Sequence, residues 1–322
     1  GQDTDNPAHD KPDDALFWYK AHTLVWPPVQ AVPLFGVIGY VTARGHLAWW
    51  ELMAVAFGLG ILGGTVGIVY AHELIHRQSR LERWLGDILM AMALYSHFRT
   101  EHLLVHHRYV GTPRDTVTAR YNENFHRFFL RVLKDALPSA WRTEATRLAK
   151  KGRPVWDRRN PFWRYGALQL TCLAAAFVVG GWLGLGLFIY AAFIAIWQLE
   201  LVDYVEHYGL TRKHLGGGKY EPTRPHHSWN ASHKASNWLL INLQRHSDHH
   251  TKPSRRFPVL QAHGPDEAPQ LPYGYPLTTL TALIPSRWRK IMNPRVRAWR
   301  KQFYPEIEDW RPYNRGETPL PR

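Results

Sequence analysis

Apolar residues in this chain fall into blocks long enough to fill a bilayer, more than into the spaced positions of a soluble helix. Residues 23–43, TLVWPPVQAVPLFGVIGYVTA, carry no charge, and about 20 apolar residues suffice for a helical crossing. Pro27, Pro28 and Pro33 predict that this helix is kinked or starts late. Residues 47–71, LAWWELMAVAFGLGILGGTVGIVYA, hold one charge, Glu51, and glycines that permit close helix approach. Arg44-Gly45-His46 reads as the turn between the two. The apolar run 165–202 is too long for one crossing. Gly180-Gly181, Gly184 and Gly186 interrupt it and predict helices at 165–180 and 183–205 joined by a tight turn. Residues 85–98 are too short to span and read as a re-entrant or core helix. The pattern predicts an all-α integral-membrane helical bundle, one domain over 1–322. It has a polar, Asp-rich surface arm (1–20), two transmembrane hairpins (23–71 and 165–205) and a helical cap from 72–164 and 206–322.

Charge sets the orientation. Lys and Arg number 40 against 26 Asp and Glu, and only Lys11, Lys20 and Arg44 precede Arg77. By the positive-inside rule the basic stretches 77–164 and 205–322 are cytoplasmic, with Trp182 and Trp197 near the interfaces. A mean hydropathy of -0.35 looks soluble only because it averages spans with polar segments. One cysteine, Cys172, excludes disulfides within the chain and thiolate-rich metal clusters. The run KPSRRF (252–257) suits lipid head groups or an acidic electron carrier equally. Nucleic acid is not expected, because no binding fold or basic–aromatic pattern stands beside the spans.

The chemistry lies in the histidines. Nine of the 19 are boxed: His72 and His76 in AHELIHRQ, His102, His106 and His107 in TEHLLVHHRY, His207 in DYVEHYGL, and His246, His249 and His250 in LQRHSDHH. His72/His76, His102/His106 and His246/His250 are i, i+4 pairs, which share a helix face. The boxes follow the predicted membrane exits. Nine imidazoles exceed the needs of one ion and imply two metals with four or five nitrogens each. Imidazole suits zinc, copper, iron or nickel; a membrane, which concentrates O2 and apolar molecules, favours redox iron. Glu73, Glu101, Glu206 and Asp248 are candidates to accept the second N–H of a metal-bound imidazole, against salt bridges to Arg77, Arg99, Arg108 or Arg245. Glu200, Asp203 and His207 fall at i, i+3 and i+7 on one stripe, and charge near a membrane interior is usually functional. HELIH alone matches a zinc-protease pattern with Glu73 as base, but leaves the other boxes unexplained. A histidine-rich metal transporter would bind ions near the midplane, not at helix ends. His226 and His227 lack the repeat and read as structural.

HELIH, EH-x3-HH, EHYGL and LQRHSDHH together resemble the integral-membrane alkane 1-monooxygenase family, within the membrane fatty-acid desaturase/hydroxylase superfamily. ARYNENFHRF, SWN and LPYGYP extend the match to roughly residues 20–310. The resemblance implies a six-helix bundle, of which four spans are counted here and the other pair would precede residue 20. It implies two irons held by the nine boxed histidines. The implied reaction is O2-dependent terminal hydroxylation of medium-chain n-alkanes, with electrons from rubredoxin and its reductase, in the bacterial inner membrane with the boxes on the cytoplasmic side. Related enzymes hydroxylate aryl methyl groups or desaturate fatty acyl chains. The chain departs from the family pattern at Val105 (usually Gly), Asp203 (usually Asn) and Arg77 (commonly Lys).

Overall fold

The computed structural model describes residues 1–9 and 11–321. Among them the only strands form a short antiparallel hairpin, β1 (His214–Gly216) with β2 (Lys219–Tyr220); the rest of the regular structure is helical. The chain divides into two compact units, one of Lys11–Arg99 and Trp141–Leu199, the other of Gly1–Asp10, Thr100–Ala140 and Glu200–Arg322.

The first unit is apolar. It holds α1 (Phe17–Arg44) and α2 (Trp49–Leu62), which continues through a π turn (Gly63–Gly67) into α3 (Ile68–Ile75). It also holds α4 (Arg80–Met92) and most of the long α8 (Phe162–His207). Three helices are long and apolar enough to cross a membrane: Phe17–Arg44, Trp49–Ile75 and Phe162–His207. The last has 46 residues and is non-helical at Gly181 (φ 59°, ψ -152°), a backbone region that glycine enters without a Cβ penalty. There it folds back. A Cβ on Gly184 would lie 2.8 Å from the carbonyl oxygen of Ala176, whereas a straight helix would separate those residues by about 12 Å at 1.5 Å per residue. The predicted hairpin is therefore present, closed by one residue.

Two expectations are corrected here. The first span starts at Phe17, not 23, and keeps Pro27, Pro28 and Pro33 inside a continuous helix; membrane helices tolerate proline where neighbours re-satisfy the freed carbonyls. Glu51, the lone charge of the second span, sits in its first turn, where it accepts the Ala48 N–H at 2.8 Å. Glycine permits the close packing of that span. A Cβ at Gly60 would meet the Ala191 carbonyl and Ile194 Cβ at 2.6 Å, and one at Gly64 would meet Gln198 at 2.6 Å. Leu34, Ile38, Ile68, Leu74, Leu89 and Phe188 fill the interior, while Val32, Leu170, Val178 and Trp182 point outward, as a lipid-facing surface requires.

The second unit takes over at Thr100 within α5 (Phe98–Glu101), which runs into a second π turn (His102–His106) and α6 (His107–Tyr109). Further on come α7 (Phe125–Ala149, shared with the first unit), α9 (Lys234–Leu239), α10 (His246–Thr251), α11 (Tyr275–Ala282), α12 (Pro285–Phe303) and α13 (Arg311–Arg315). Its core is aromatic: Tyr204, Tyr208, Trp229, Tyr275 and Trp288 are fully buried. Trp229 Nε1 donates to the Tyr208 carbonyl at 2.9 Å and the Tyr208 hydroxyl to Asn293 at 2.7 Å. The N-terminal residues are not a free surface arm. Asp3 N donates to the Ser232 carbonyl at 2.7 Å, and Lys234 N to the Gly1 carbonyl at 3.1 Å. Arg245 donates to the Asp5 carbonyl at 3.0 Å and pairs with the Asp3 carboxylate at 3.3 Å. Asp10 lies outside the described residues.

Candidate metal centre

The second unit gathers its boxed histidines into two groups. His106, His207, His246 and His250 are all buried, and their ligand nitrogens lie within 4.8 Å of one another. Successive Nε2 atoms are close: His106–His250 3.2 Å, His250–His246 3.0 Å and His246–His207 3.1 Å. Beside them, Nε2 of His107 lies 3.0 Å from that of His102 and 3.0 Å from that of His249. In the apolar unit, His72 and His76 stand one turn apart at the end of α3, ring centroids 4.9 Å apart.

The sorting into two groups corrects the simple i, i+4 reading of the second box. His102–His106 forms a π turn, whose hydrogen bonds run i to i+5. The wider turn brings His102 next to His107, five residues on, and sends His106 to the other group. In α10 ordinary helical spacing holds: His246 and His250 share one group and His249 faces His107. Val105, where the resemblance leads one to expect glycine, is buried within the π turn and does not prevent it.

These nitrogens fit a metal. Ligands about 2.0–2.1 Å from a divalent ion and at right angles to one another lie about 3 Å apart, which is the spacing seen. The outer nitrogens of three of the four rings face an oxygen, which turns their Nε2 atoms inward. His106 Nδ1 donates to Asp115 Oδ2 at 3.0 Å, both side chains fully buried. Glu206 Oε1 lies 3.2 Å from His246 Nδ1, and the His227 carbonyl 3.4 Å from His207 Nδ1. Burial, then the neighbouring rings, hold His250 well below the usual imidazole pKa, so it stays neutral and able to ligate. Burial alone would raise Asp115; the His106 ring and the Thr118 hydroxyl override it and leave the carboxyl below its usual range. Asp115, Glu101, Glu200, Asp203 and Glu206 form a buried acidic set whose charges interact, which cations beside it would offset.

The four carboxylates expected beside the boxes have different fates. Glu206 Oε1 lies beside His246 Nδ1. Asp248 is engaged by the loop after α10: Arg255 Nη1 is 2.6 Å from each of its oxygens, and the Gln261 N–H donates to it at 3.0 Å. Glu73 lies 3.4 Å from Arg77. Glu101 accepts the Thr116 hydroxyl at 2.7 Å; burial, then the charge of Asp115, push it up to about 8 against that bond. Asp203 is buried with Oδ2 unpartnered among the described residues. Asp115 was not legible in the sequence. It lies nine residues past His106, in the Thr-rich loop GTPRDTVT, with no box spacing to mark it.

Glu221, His226 and His227 also converge, but as a hydrogen-bonded post. The Arg224 N–H donates to His227 Nδ1 at 2.9 Å, so a neutral His227 carries its proton on Nε2, where the Tyr304 hydroxyl stands at 2.7 Å. That nitrogen has no lone pair for a metal. His226 Nε2 meets the same hydroxyl at 3.0 Å, and Tyr304 donates to Glu221. The post fixes the carbonyl that orients His207.

Comparison with known proteins agrees with this chemistry. The fatty acid desaturase family model matches residues 47–282. Alkane 1-monooxygenase 1 of Pseudomonas aeruginosa is 40% identical over 301 residues, covering 92% of this chain and 78% of that protein. Alkane 1-monooxygenase of Pseudomonas putida is 36% identical, covering 92% and 73%. The xylene/toluene monooxygenase hydroxylase component of Pseudomonas putida is 29% identical over 80% of this chain and 68% of that protein. With its apolar spans, its paired histidine groups and these relatives, the chain belongs to the alkane 1-monooxygenase family of membrane desaturase-like oxidoreductases.

Proposed function

We propose that the protein hydroxylates medium-chain n-alkanes at a terminal methyl group, using O2 and electrons from rubredoxin, at two irons held by the nine boxed histidines. In this reading His106, His207, His246 and His250 hold one iron. His102, His107 and His249 help to hold the other. Bound iron would supply the two-electron activation of O2. The observation that carries the proposal is the four-histidine group, with inner nitrogens about 3 Å apart and outer nitrogens turned to Asp115, Glu206 and the His227 carbonyl. These partners orient three of the four rings before a metal arrives, which limits the reorganisation that accompanies loading.

The substrate has nothing to hydrogen-bond, so it must be oriented by shape and dryness. The apolar unit holds a small cavity of about 20 Å³, lined by Leu34, Leu59, Leu62, Met92, Ala191 and Ala195 among others, with Gln30 its one polar side chain. We read this apolar lining as part of the wall along which the alkyl chain runs. The boxes lie on the cytoplasmic face of the bacterial inner membrane, where a soluble electron donor can reach them.

Purification in detergent, metal analysis and product analysis test the proposal. About two irons per chain and 1-octanol from octane are expected. His207→Ala or His249→Ala lowers bound iron and abolishes product; full iron with full turnover in either variant removes that residue from the ligand set. The xylene/toluene relative supports a second reading, aryl-methyl hydroxylation. A benzylic alcohol from xylene, with octane untouched, would favour it; an alkene product would mean a desaturase.

A further inference from the structure

A second charged site lies within the apolar unit, apart from the histidines. Arg80, Arg83, Trp84, Arg99 and Arg164 line a cavity of about 300 Å³. Arg80 and Arg83 stand in the first turn of α4, just after the second span ends at Ile75, and Arg164 stands in the first turn of α8, where the third begins. The cavity therefore opens where two spans leave the hydrocarbon.

Its charge is poorly balanced. Asp87, with a 1% exposed side chain, is shared between Arg99 at 2.6 Å and Arg164 at 2.8 Å. No carboxylate is among the residues lining the cavity, whereas four guanidiniums are, and only two of them, Arg99 and Arg164, pair with Asp87. Their donors are arranged as well as numerous. Arg164 lies over the Trp84 ring at 5.1 Å and the Tyr165 ring at 5.7 Å, which holds its plane while leaving edge N–H groups free to turn to a ligand. Arg83 is fixed by donating to the Gln78 carbonyl at 2.6 Å and the Arg77 carbonyl at 3.2 Å. Planar, pre-oriented guanidiniums recognise phosphate oxygens. The surroundings are greasy: Trp84, in the cavity wall, is 47% exposed, and Leu81 and Trp163, next in sequence to the lining residues Arg80 and Arg164, are 61% and 55% exposed. A soluble anion gains nothing from such surroundings. A phosphate carrying acyl chains does, and basic pockets at a membrane boundary have this character.

We propose that this cavity binds the phosphate headgroup of an anionic phospholipid, with Arg80, Arg83 and Arg164 as the phosphate ligands and Trp84 and Leu81 against the upper acyl chain. Arg99 acts through Asp87, holding that carboxylate so that Arg164 stays aimed into the cavity.

The test is thermal unfolding of the full chain in neutral detergent with dioctanoyl phosphatidylglycerol, dioctanoyl phosphatidylcholine, inorganic phosphate or a polyglutamate peptide. Phosphatidylglycerol is expected to raise Tm by several degrees and the other three to leave it near baseline. Arg80→Gln and Arg164→Lys should unfold near the wild-type temperature without lipid yet lose most of the phosphatidylglycerol shift. Native mass spectrometry should show one retained phosphatidylglycerol on wild type and a severalfold lower occupancy on Arg80→Gln, so a variant that folds poorly still reports binding. Equal shifts from the two lipids, or an undiminished shift and occupancy in both variants, would overturn the site. An equal shift from inorganic phosphate would make it a soluble-anion site, and one from polyglutamate would reassign it to an acidic protein; either overturns the lipid assignment.

Discussion

Single side chains decide how well the histidines are aimed. Asp115 is the best case, because it touches only the far nitrogen of His106 and is itself held by Thr118 at 2.6 Å. Asp115→Asn should leave the fold in place and weaken metal binding by ~10–100-fold, measured by metal titration of the stripped protein; unchanged affinity would remove Asp115 from the positioning role. His226 gives a pH signature. Burial, followed by the charge of His227, pulls it down to about 4, so the unfolded ring takes a proton that the folded ring refuses. Stability from this group is present above about 6.5, the ordinary imidazole value, and is lost as pH falls toward 4. The slope of Tm against pH in that window should flatten in His226→Phe, whose ring can keep the stack on Phe303 (centroids 4.4 Å). An unaltered slope would place the acid sensitivity elsewhere.

Two backbone devices matter at the scale of elements. The π turn His102–His106 assigns neighbouring histidines to different groups. Deleting Leu104 would restore an α turn, put His102 and His107 at i, i+4, and pull His106 out of register. The shortened chain should hold about one iron or none while eluting as a folded species; two irons would show that the turn is dispensable. The glycine seam is the other device. Gly60→Ala sets a methyl 2.6 Å from the Ala191 carbonyl, and overpacking of this kind costs about 1–3 kcal/mol, read as a lowered Tm in detergent. The sequence made the boxes legible because an i, i+4 repeat of a rare residue has few meanings, and made the spans legible because uncharged blocks of that length have few others. It did not reveal the π turn, since one extra residue per turn leaves no trace in a polar–apolar pattern. Asp115 and the Arg255 partner of Asp248 were hidden for another reason: both contacts depend on loop paths that no periodicity encodes.

The whole chain combines an apolar unit of spans with a unit in which aromatic residues bury a polar, histidine-lined interior. The two units follow opposite rules of stabilisation. The first relies on close backbone approach at Gly60 and Gly64, because lipid gives no hydrophobic incentive for helices to associate. The second buries Tyr, Trp, His and carboxylates, each of which must find a partner or an ion. Removing the metals should therefore destabilise the two unequally. Chelation is expected to increase amide hydrogen exchange around 102–118 and 244–251 while leaving 50–70 protected; uniform exchange would mean that the groups contribute little to their own unit. The arm of residues 1–7 follows from the same second unit. It is tied to Arg245, the residue before His246, so loosening that tie frees the segment leading into the LQRHSDHH box and lets a surface motion reach three of the buried imidazoles.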